Sequence, residues 1–424
     1  MNIKEITQKV KSDSFRMAAL PEDLRNGALK RIAEALLENK TAIFSANSED
    51  LSRGEENGLS SPMMKRLLFD EKKLAEAIDG IHSLIALPDP LFQTTLNRRL
   101  DDGLVLRRVT CPIGVIGVIF ESRPDALIQI ASLCLKSGNC AVLKGGSEAL
   151  GTNKALYDII YEAGLASGIP EGFLTLIETR ADIGELLDHH ESIDLIIPRG
   201  SNEFVQYIMN RSKIPVMGHA DGICHIYADA DADAEMALSV IRDSKTQYAA
   251  VCNAAETLLV HQKIAPVLLP ALAAKLPDVE LRGCEKVRAV IPCSAADETD
   301  YATEYLDYIL SLKIVGSLDE AIAHINKYGS HHTDCILTEN SKAAERFMLL
   351  VDSAGVYQNC STRFADGYRY GFGAEVGVST GKLHARGPVG LRGLVTYKYR
   401  LYGHGHIVAD YAEGRKKFNF KDLD

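Results

Sequence analysis

Apolar residues recur at helical spacing through the opening of the chain, at Ala28, Ile32, Ala35 and Leu36 and again at Leu67, Leu68, Leu74 and Ile78. Residues 1–95 therefore read as helical. The period changes at TLNRRLDDGLVLRRV (95–109), where two β-prone runs flank Asp101-Asp102-Gly103, a hairpin signal. From residue 113 strands and helices alternate. IGVIGVIF leads into a helix from about Asp125 to Lys136, stopped by Gly138, and CAVLK leads into a helix closed by Gly168 and Pro170. FLTLI (173–177) and IDLII (193–197) read as further buried strands. Such alternation implies a parallel, doubly wound sheet with ligands at the carboxyl ends of its strands.

A second α/β series is expected after residue 240. ETLLV leads to a helix from 262 to about 275, followed by strands RAVIP and LKIV. The next helix starts at Ser317, which with Glu320 forms a Ser-x-x-Glu capping box. TDCIL, a helix from about Ser341, and AGVYQN complete the series. Residues 361–393 are rich in glycine and arginine and predict a long ordered loop, a feature usually tied to function. VTYKYRLY (395–402) is an alternating strand, and GRKKFNFKDLD reads as a polar tail.

Composition narrows the class. At 424 residues the chain exceeds one ordinary core, so two or three domains are expected. An apolar fraction of 46% and a charged fraction of 25% suit a globular protein in water. The net charge of −10 argues against a nucleic-acid or anionic-membrane surface, while leaving room for a small anionic ligand. The amphipathic, charged N-terminus has no apolar signal core, and PIGVIGVIF (112–120) is too short to span a bilayer. Nine cysteines without a CxxC pair suggest reduced thiols in a cytoplasm and disfavour zinc. His331-His332 and His404-Gly-His406 lack partners at ligand spacing and read as surface or loop histidines. No metal is expected.

Three places carry candidate chemistry. Cys252 lies in KTQYAAVCNAAETLLVH (245–261), flanked by small residues, with a polar turn before it and a β-prone run after it. A thiol presented this way is open to a substrate and a cofactor together, as covalent catalysis requires; a small buried hydrophobe is the plainer reading. LKGGSEALG (143–151) joins a strand to a helix through paired glycines, and Lys144 adds a positive charge. It is neither GxGxxG nor a Walker A loop, so a simple tight turn fits as well. IIPRGSNEF (196–204) repeats the strand–turn–helix logic at Gly200-Ser201.

The order of CPIGVIGVIFESRP (111–124), LKGGSEA (143–149), PRGSNEF (198–204), the cysteine run, AIAHINKYGSHHTDCIL (321–337) and STRFADGYRYGFGAEVGVSTGKLHARGPVGL (361–391) resembles the aldehyde dehydrogenase superfamily. Within it, the blocks are most similar to the branch that reduces L-glutamate 5-phosphate in proline biosynthesis. The resemblance, from about residue 15 to 402, implies two doubly wound parallel-sheet domains plus a β oligomerisation arm. The cofactor-binding domain would span 1–94 and 112–240, the catalytic domain 241–387, and the arm 95–111 and 388–424. The hairpin at 95–109 and the strand at 395–402 would pair across subunits of a homo-oligomer.

By the same resemblance Cys252 is the nucleophile, and Lys144 holds the cofactor ribose and phosphate. Gly200 and Ser201 form the turn beside the nicotinamide and pyrophosphate, and Glu375 bonds the nicotinamide ribose. Departures from the family pattern refine this. Aldehyde-oxidising relatives activate water with the glutamate of Glu-Leu-Gly-Gly; here that segment is His219-Ala-Asp-Gly222, so a histidine takes the base position and the thioester is spared hydrolysis. Ser147 stands where NAD-preferring relatives carry a glutamate, which would repel a 2′-phosphate, so NADPH is the expected cofactor. Glu121-Ser122-Arg123-Pro124 replaces the element that supplies the oxyanion-binding asparagine, leaving the Cys252 backbone N–H as the donor.

The expected reaction reduces L-glutamate 5-phosphate to glutamate 5-semialdehyde through a thioester on Cys252. Arg123 and Arg363 are candidates for the substrate's phosphate and α-carboxylate, or for structural ion pairs, and His219 faces the same site. Another acylating dehydrogenase using coenzyme A or a different acyl phosphate is the alternative, and a catalytically silent scaffold is a third reading. A glutamate kinase, the source of the acyl phosphate, is the implied functional partner.

Overall fold

The computed structural model describes residues 2–121, 123–177 and 183–424. Helices Ile3–Met17, Glu22–Glu38, Lys40–Glu56, Ser61–Leu67 and Glu71–Ala86 open the chain, as the apolar spacing predicts. The first begins with a reciprocal cap between Asn2 and Glu5. The second buries Ala28, Leu29, Ile32, Ala33, Ala35 and Leu36 along one stripe. Two buried cations anchor this layer. Arg25 grips Asp89 with both guanidinium nitrogens, at 3.1 and 2.7 Å, and Lys136 bonds Glu22 at 3.0 Å and Asn26 at 2.8 Å.

These helices cover a four-stranded parallel sheet ordered Leu174–Leu176, Cys140–Gly145, Val115–Phe120, Leu195–Arg199. All six residues of Val115–Phe120 are buried, as in a strand covered on both faces. Helix Pro124–Lys136 follows that strand and helix Leu150–Ala166 the next, close to the expected bounds. The carboxyl ends of Cys140–Gly145 and Leu195–Arg199 flank the central strand, so the two glycine turns open on the same edge.

The second sheet has seven parallel strands, ordered Ser294–Ala295, Glu280–Gly283, Ile309–Val315, Ala255–His261, Cys224–Ala228, Thr333–Leu337, Gly355–Gln358. One strand, Cys224–Ala228, precedes residue 240, so this sheet takes up chain earlier than the sequence suggests. Its five residues are all buried, but His225 breaks the apolar run. RAVIP is not a strand. Val287 and Ile291 are buried four residues apart, the spacing of helix Glu285–Arg288 and its following turn. Ser317 caps helix Leu318–Tyr328, accepting from the Glu320 N–H at 3.2 Å, while the Glu320 carboxylate accepts from Gly316 instead of completing the box.

The third unit is an antiparallel sheet ordered Val395–Tyr402, Leu104–Pro112, Thr94–Asp101, Lys421–Asp422. Gly103 makes the hairpin turn at φ +74°, a conformation open to glycine. Val395–Tyr402 pairs along its length with residues 105–112 of the same chain. The opposite edge of that strand has no partner strand among the described residues. The C-terminal segment is not a loose tail, because Arg98 holds Asp422 at 2.6 Å and the rings of Phe418 and Phe420 stack. Among the described residues, no helix is long and apolar enough to cross a membrane.

Candidate active site

Cys252 sits in a tight turn between helix Ala234–Thr246 and strand Ala255–His261. Both ends of this connection are pinned by one ion pair: Lys245, near the end of the helix, meets Glu256 at 2.6 Å with both side chains fully buried. Burial pushes the Glu256 carboxyl up to about 7 against the opposing pull of Lys245. The turn is also tied to the glycine-rich segment. Asn253 donates to the Ala365 carbonyl at 2.8 Å, and the Thr362 hydroxyl donates to the Asn253 carbonyl at 2.7 Å. From the other side Gly222 presses on Cys252. A Cβ there would lie within 2.5 Å of the Cys252 carbonyl oxygen, Cα and Cβ. The glycine of the His-Ala-Asp-Gly segment is thus required by close approach.

That approach brings His219 to the thiol. One ligand-type atom from each of His219, Cys252 and His332 lies within 4.8 Å of the other two. His219 Nδ1 lies 2.8 Å from the Val378 carbonyl, so it carries the proton and Nε2 is left with a lone pair. The two imidazoles meet edge to face, with centroids 4.9 Å apart. His332 corrects the reading of His331-His332 as surface or loop residues. It is 1% exposed and borders strand Thr333–Leu337, while His331, at φ +61°, turns to the Asp352 carbonyl. His332 Nδ1 faces the Thr333 hydroxyl at 3.0 Å and the Cys224 thiol at 3.8 Å, leaving Nε2 buried without a partner. Nothing in local spacing joins His332 to Cys252; parallel pairing through strand Cys224–Ala228 does.

The arginines divide. Arg363 is buried, its Nε bonded to Gln247 at 2.9 Å; burial and then Arg369 lower its pKa, while Cys252 and Asp366 raise it. It therefore lies within the electrostatic reach of the thiol. Arg123 is exposed at the start of helix Pro124–Lys136. Arg199, not singled out in the sequence, ends strand Leu195–Arg199 with NH1 buried and unpartnered. Burial and Arg123 lower its pKa, opposed by Glu375, Asp125 and Cys252. Its position directly before Gly200, at the carboxyl end of a strand, was the available signal. Ser122 lies outside the described residues.

The cofactor candidates lie at the strand ends of the first sheet and in the glycine-rich segment. Half-buried Lys144, next to last in its strand, bonds the Gly145 carbonyl at 2.9 Å, and exposed Ser147 opens the short turn Ser147–Ala149. Ser201 precedes helix Asn202–Arg211, and its backbone N–H points at the Glu121 carboxylate, 3.3 Å away. A Cβ on Gly200 would meet the same oxygen at 2.7 Å. An amide at a helix start, already directed at an oxyanion, suits a phosphate. Glu375 accepts from the Gly367 N–H at 2.8 Å, and burial pushes its carboxyl up to about 7 against Arg199 and His219. The fold thus gathers Lys144, Ser147, Gly200 and Ser201 on one sheet edge, and Glu375, Arg199, His219 and Cys252 around one another.

The pattern of the aldehyde dehydrogenase family matches residues 1–287. The chain belongs to that family. Membership carries the use of a nicotinamide cofactor, for which the two glycine turns and Lys144 are suited. Among relatives, the gamma-glutamyl phosphate reductases of Acetivibrio thermocellus and Pelotomaculum thermopropionicum are each 59% identical over 100% of this chain and cover 99% and 98% of their own length. The crystal structure of gamma-glutamyl phosphate reductase from Thermotoga maritima superimposes with a TM-score of 0.93 at 42% identity, covering 95% of this chain and 99% of that one. An acetylating aldehyde dehydrogenase from Geobacillus thermoglucosidasius shares the fold, with a TM-score of 0.66 at 18% identity over 95% of this chain and 96% of its own.

Proposed function

We propose that this dehydrogenase reduces L-glutamate 5-phosphate to L-glutamate 5-semialdehyde, releasing phosphate, in proline biosynthesis. The observation that carries the reading is the imidazole of His219 beside Cys252, where an oxidising enzyme would need a water-activating carboxylate. The full-length similarity to gamma-glutamyl phosphate reductases supports the substrate.

The Cys252 sulfur attacks the acyl carbon, the bond to the phosphate oxygen breaks, and a thioester remains on the protein. His219 and His332 flank the sulfur and can take its proton; the Cys252 backbone N–H is the donor for the developing oxyanion. When bound, NADPH supplies the hydride that takes the thioester to the aldehyde level. Ser147 would leave the 2′-phosphate unopposed at that position, Lys144 and the Ser201 amide would hold phosphate, and Glu375 would accept from the ribose. Arg363 and Arg199 are the cations for the substrate's two anionic ends, in preference to exposed Arg123. The free edge of Val395–Tyr402, with exposed Tyr397, Tyr399 and Leu401, is the surface for strand addition in a homo-oligomer.

The test is the reverse reaction with semialdehyde, phosphate and NADP⁺. Cys252→Ala should abolish it, and substantial residual turnover would overturn the assignment. Coenzyme A offered in place of phosphate should give no product; an active coenzyme A reaction would move the chain to another acylating class.

A further inference from the structure

The Cys252 sulfur and the two imidazoles beside it have a property that the reductase reaction does not use. We propose that Cys252, His219 and His332 form a site for a soft divalent cation, zinc above all, which would hold the sulfur as a metal-bound, unreactive thiolate. Metal binding itself does not depend on the proposed reaction; only the loss of activity rests on Cys252 being the nucleophile.

The donor atoms come from three separate segments and lie within 4.8 Å of one another. Tetrahedral zinc, with Zn–S of about 2.3 Å and Zn–N of about 2.0–2.1 Å, places its donors about 3.3–3.6 Å apart. Closing on a metal therefore requires side-chain movements of about 1 Å, within the reach of small rotations.

Both rings are already turned for ligation. His219 donates Nδ1–H to the Val378 carbonyl, the outer contact that metal-binding imidazoles commonly make, so Nε2 is the ligating atom. His332 places Nδ1 against the Thr333 hydroxyl and keeps Nε2 buried with no hydrogen-bond partner. In a side chain that is 1% exposed, such an orphaned nitrogen calls for a ligand. Cys224 approaches the opposite, Nδ1 side of His332, which leaves it outside the donor set. One thiolate and two imidazoles select zinc over magnesium, and the fourth position remains for water or a phosphate oxygen. Binding replaces the S–H bond by S–metal, releases the proton to solvent and changes no oxidation state.

Cobalt(II) added to the chelator-treated full-length chain reads this directly. One equivalent should give a thiolate-to-cobalt charge-transfer band and the strong visible bands of a tetrahedral ion, both bleached by zinc. Cys252→Ser should lose the charge-transfer band. His332→Ala and His219→Ala should each weaken cobalt binding by at least about tenfold. With no substitution at all, zinc but not magnesium should slow alkylation of Cys252 by iodoacetamide, and a chelator should restore the rate. Absence of the band, its survival in Cys252→Ser, unchanged affinity in both histidine variants, or unaltered alkylation under saturating zinc would each overturn the proposal. If the band is absent while Cys252→Ala still abolishes turnover, the metal site fails and the reductase reading stands.

Discussion

Gly222→Ala isolates the close approach that positions Cys252. The added methyl would lie within 2.5 Å of three Cys252 atoms, two of them backbone. Ordinary van der Waals contact begins near about 3.4 Å, so the segments must separate by about 1 Å. Neither can yield by a rotamer change: the Cys252 turn is held by Asn253 and Thr362, and the His219 ring by the Val378 carbonyl. Misplacing a reacting group by about 1 Å costs about 10²-fold in rate, whereas overpacking of this kind costs about 1–3 kcal/mol of stability. The variant should therefore fold, with kcat for the reverse reaction lowered about a hundredfold and Cys252 alkylated at an altered rate. Gly218→Ala is the control, since a Cβ there meets Pro198 at 3.6 Å, an ordinary contact. If the two variants turn over alike, close approach at Gly222 does not set the position of the thiol.

Lys245→Met should destabilise the chain by about 3–5 kcal/mol in urea unfolding, because it strands a buried carboxylate; Lys245→Met with Glu256→Leu should recover most of the loss, and equal loss in both would refute the pairing argument. Glu375 is pushed up to about 7, so it is neutral below and ionised above that pH; if the carboxylate accepts from the ribose, cofactor affinity should rise as pH increases through about 7, and Glu375→Gln should flatten the profile of NADPH-fluorescence titrations. Ser147→Glu should shift the kcat/KM ratio towards NADH, measured with both cofactors; an unchanged ratio would place discrimination elsewhere. Arg199→Ala should raise KM for the semialdehyde or phosphate more than Arg123→Ala does, and the reverse order would restore Arg123 as the ligand.

Much of the frame was legible because burial patterns follow the backbone period. Val115–Phe120 is apolar throughout, Ser317 is an N-cap residue at a helix start, and Gly103 sits between two β-prone runs. The misreadings share a cause: one polar or helically spaced residue overrode a short segment. His225 hid a fully buried strand, and Val287 with Ile291 turned an expected strand into a helical turn. The site was less legible than the fold. The nucleophile and its glycine turns lie in recognisable runs, but His332 and Arg199 gain their meaning from neighbours distant in sequence. The place of Arg199 before the Gly200 turn was legible, but its orphaned NH1 follows from packing and not from the local run. Phe418 and Phe420 alternate as in a strand, a signal masked by the lysines around them.

Residues 361–393 hold several parts of the candidate site at once. Thr362 and Ala365 secure the Cys252 turn, Glu375 accepts from the Gly367 N–H, and Val378 orients His219. A change of shape in this segment would disturb Cys252, His219 and Glu375 together. In a selection for altered substrate range, viable replacements should therefore accumulate at separately anchored places, such as the Arg199 turn, while this segment drifts slowly. Its amides should likewise exchange with solvent as a single cooperative group, not residue by residue.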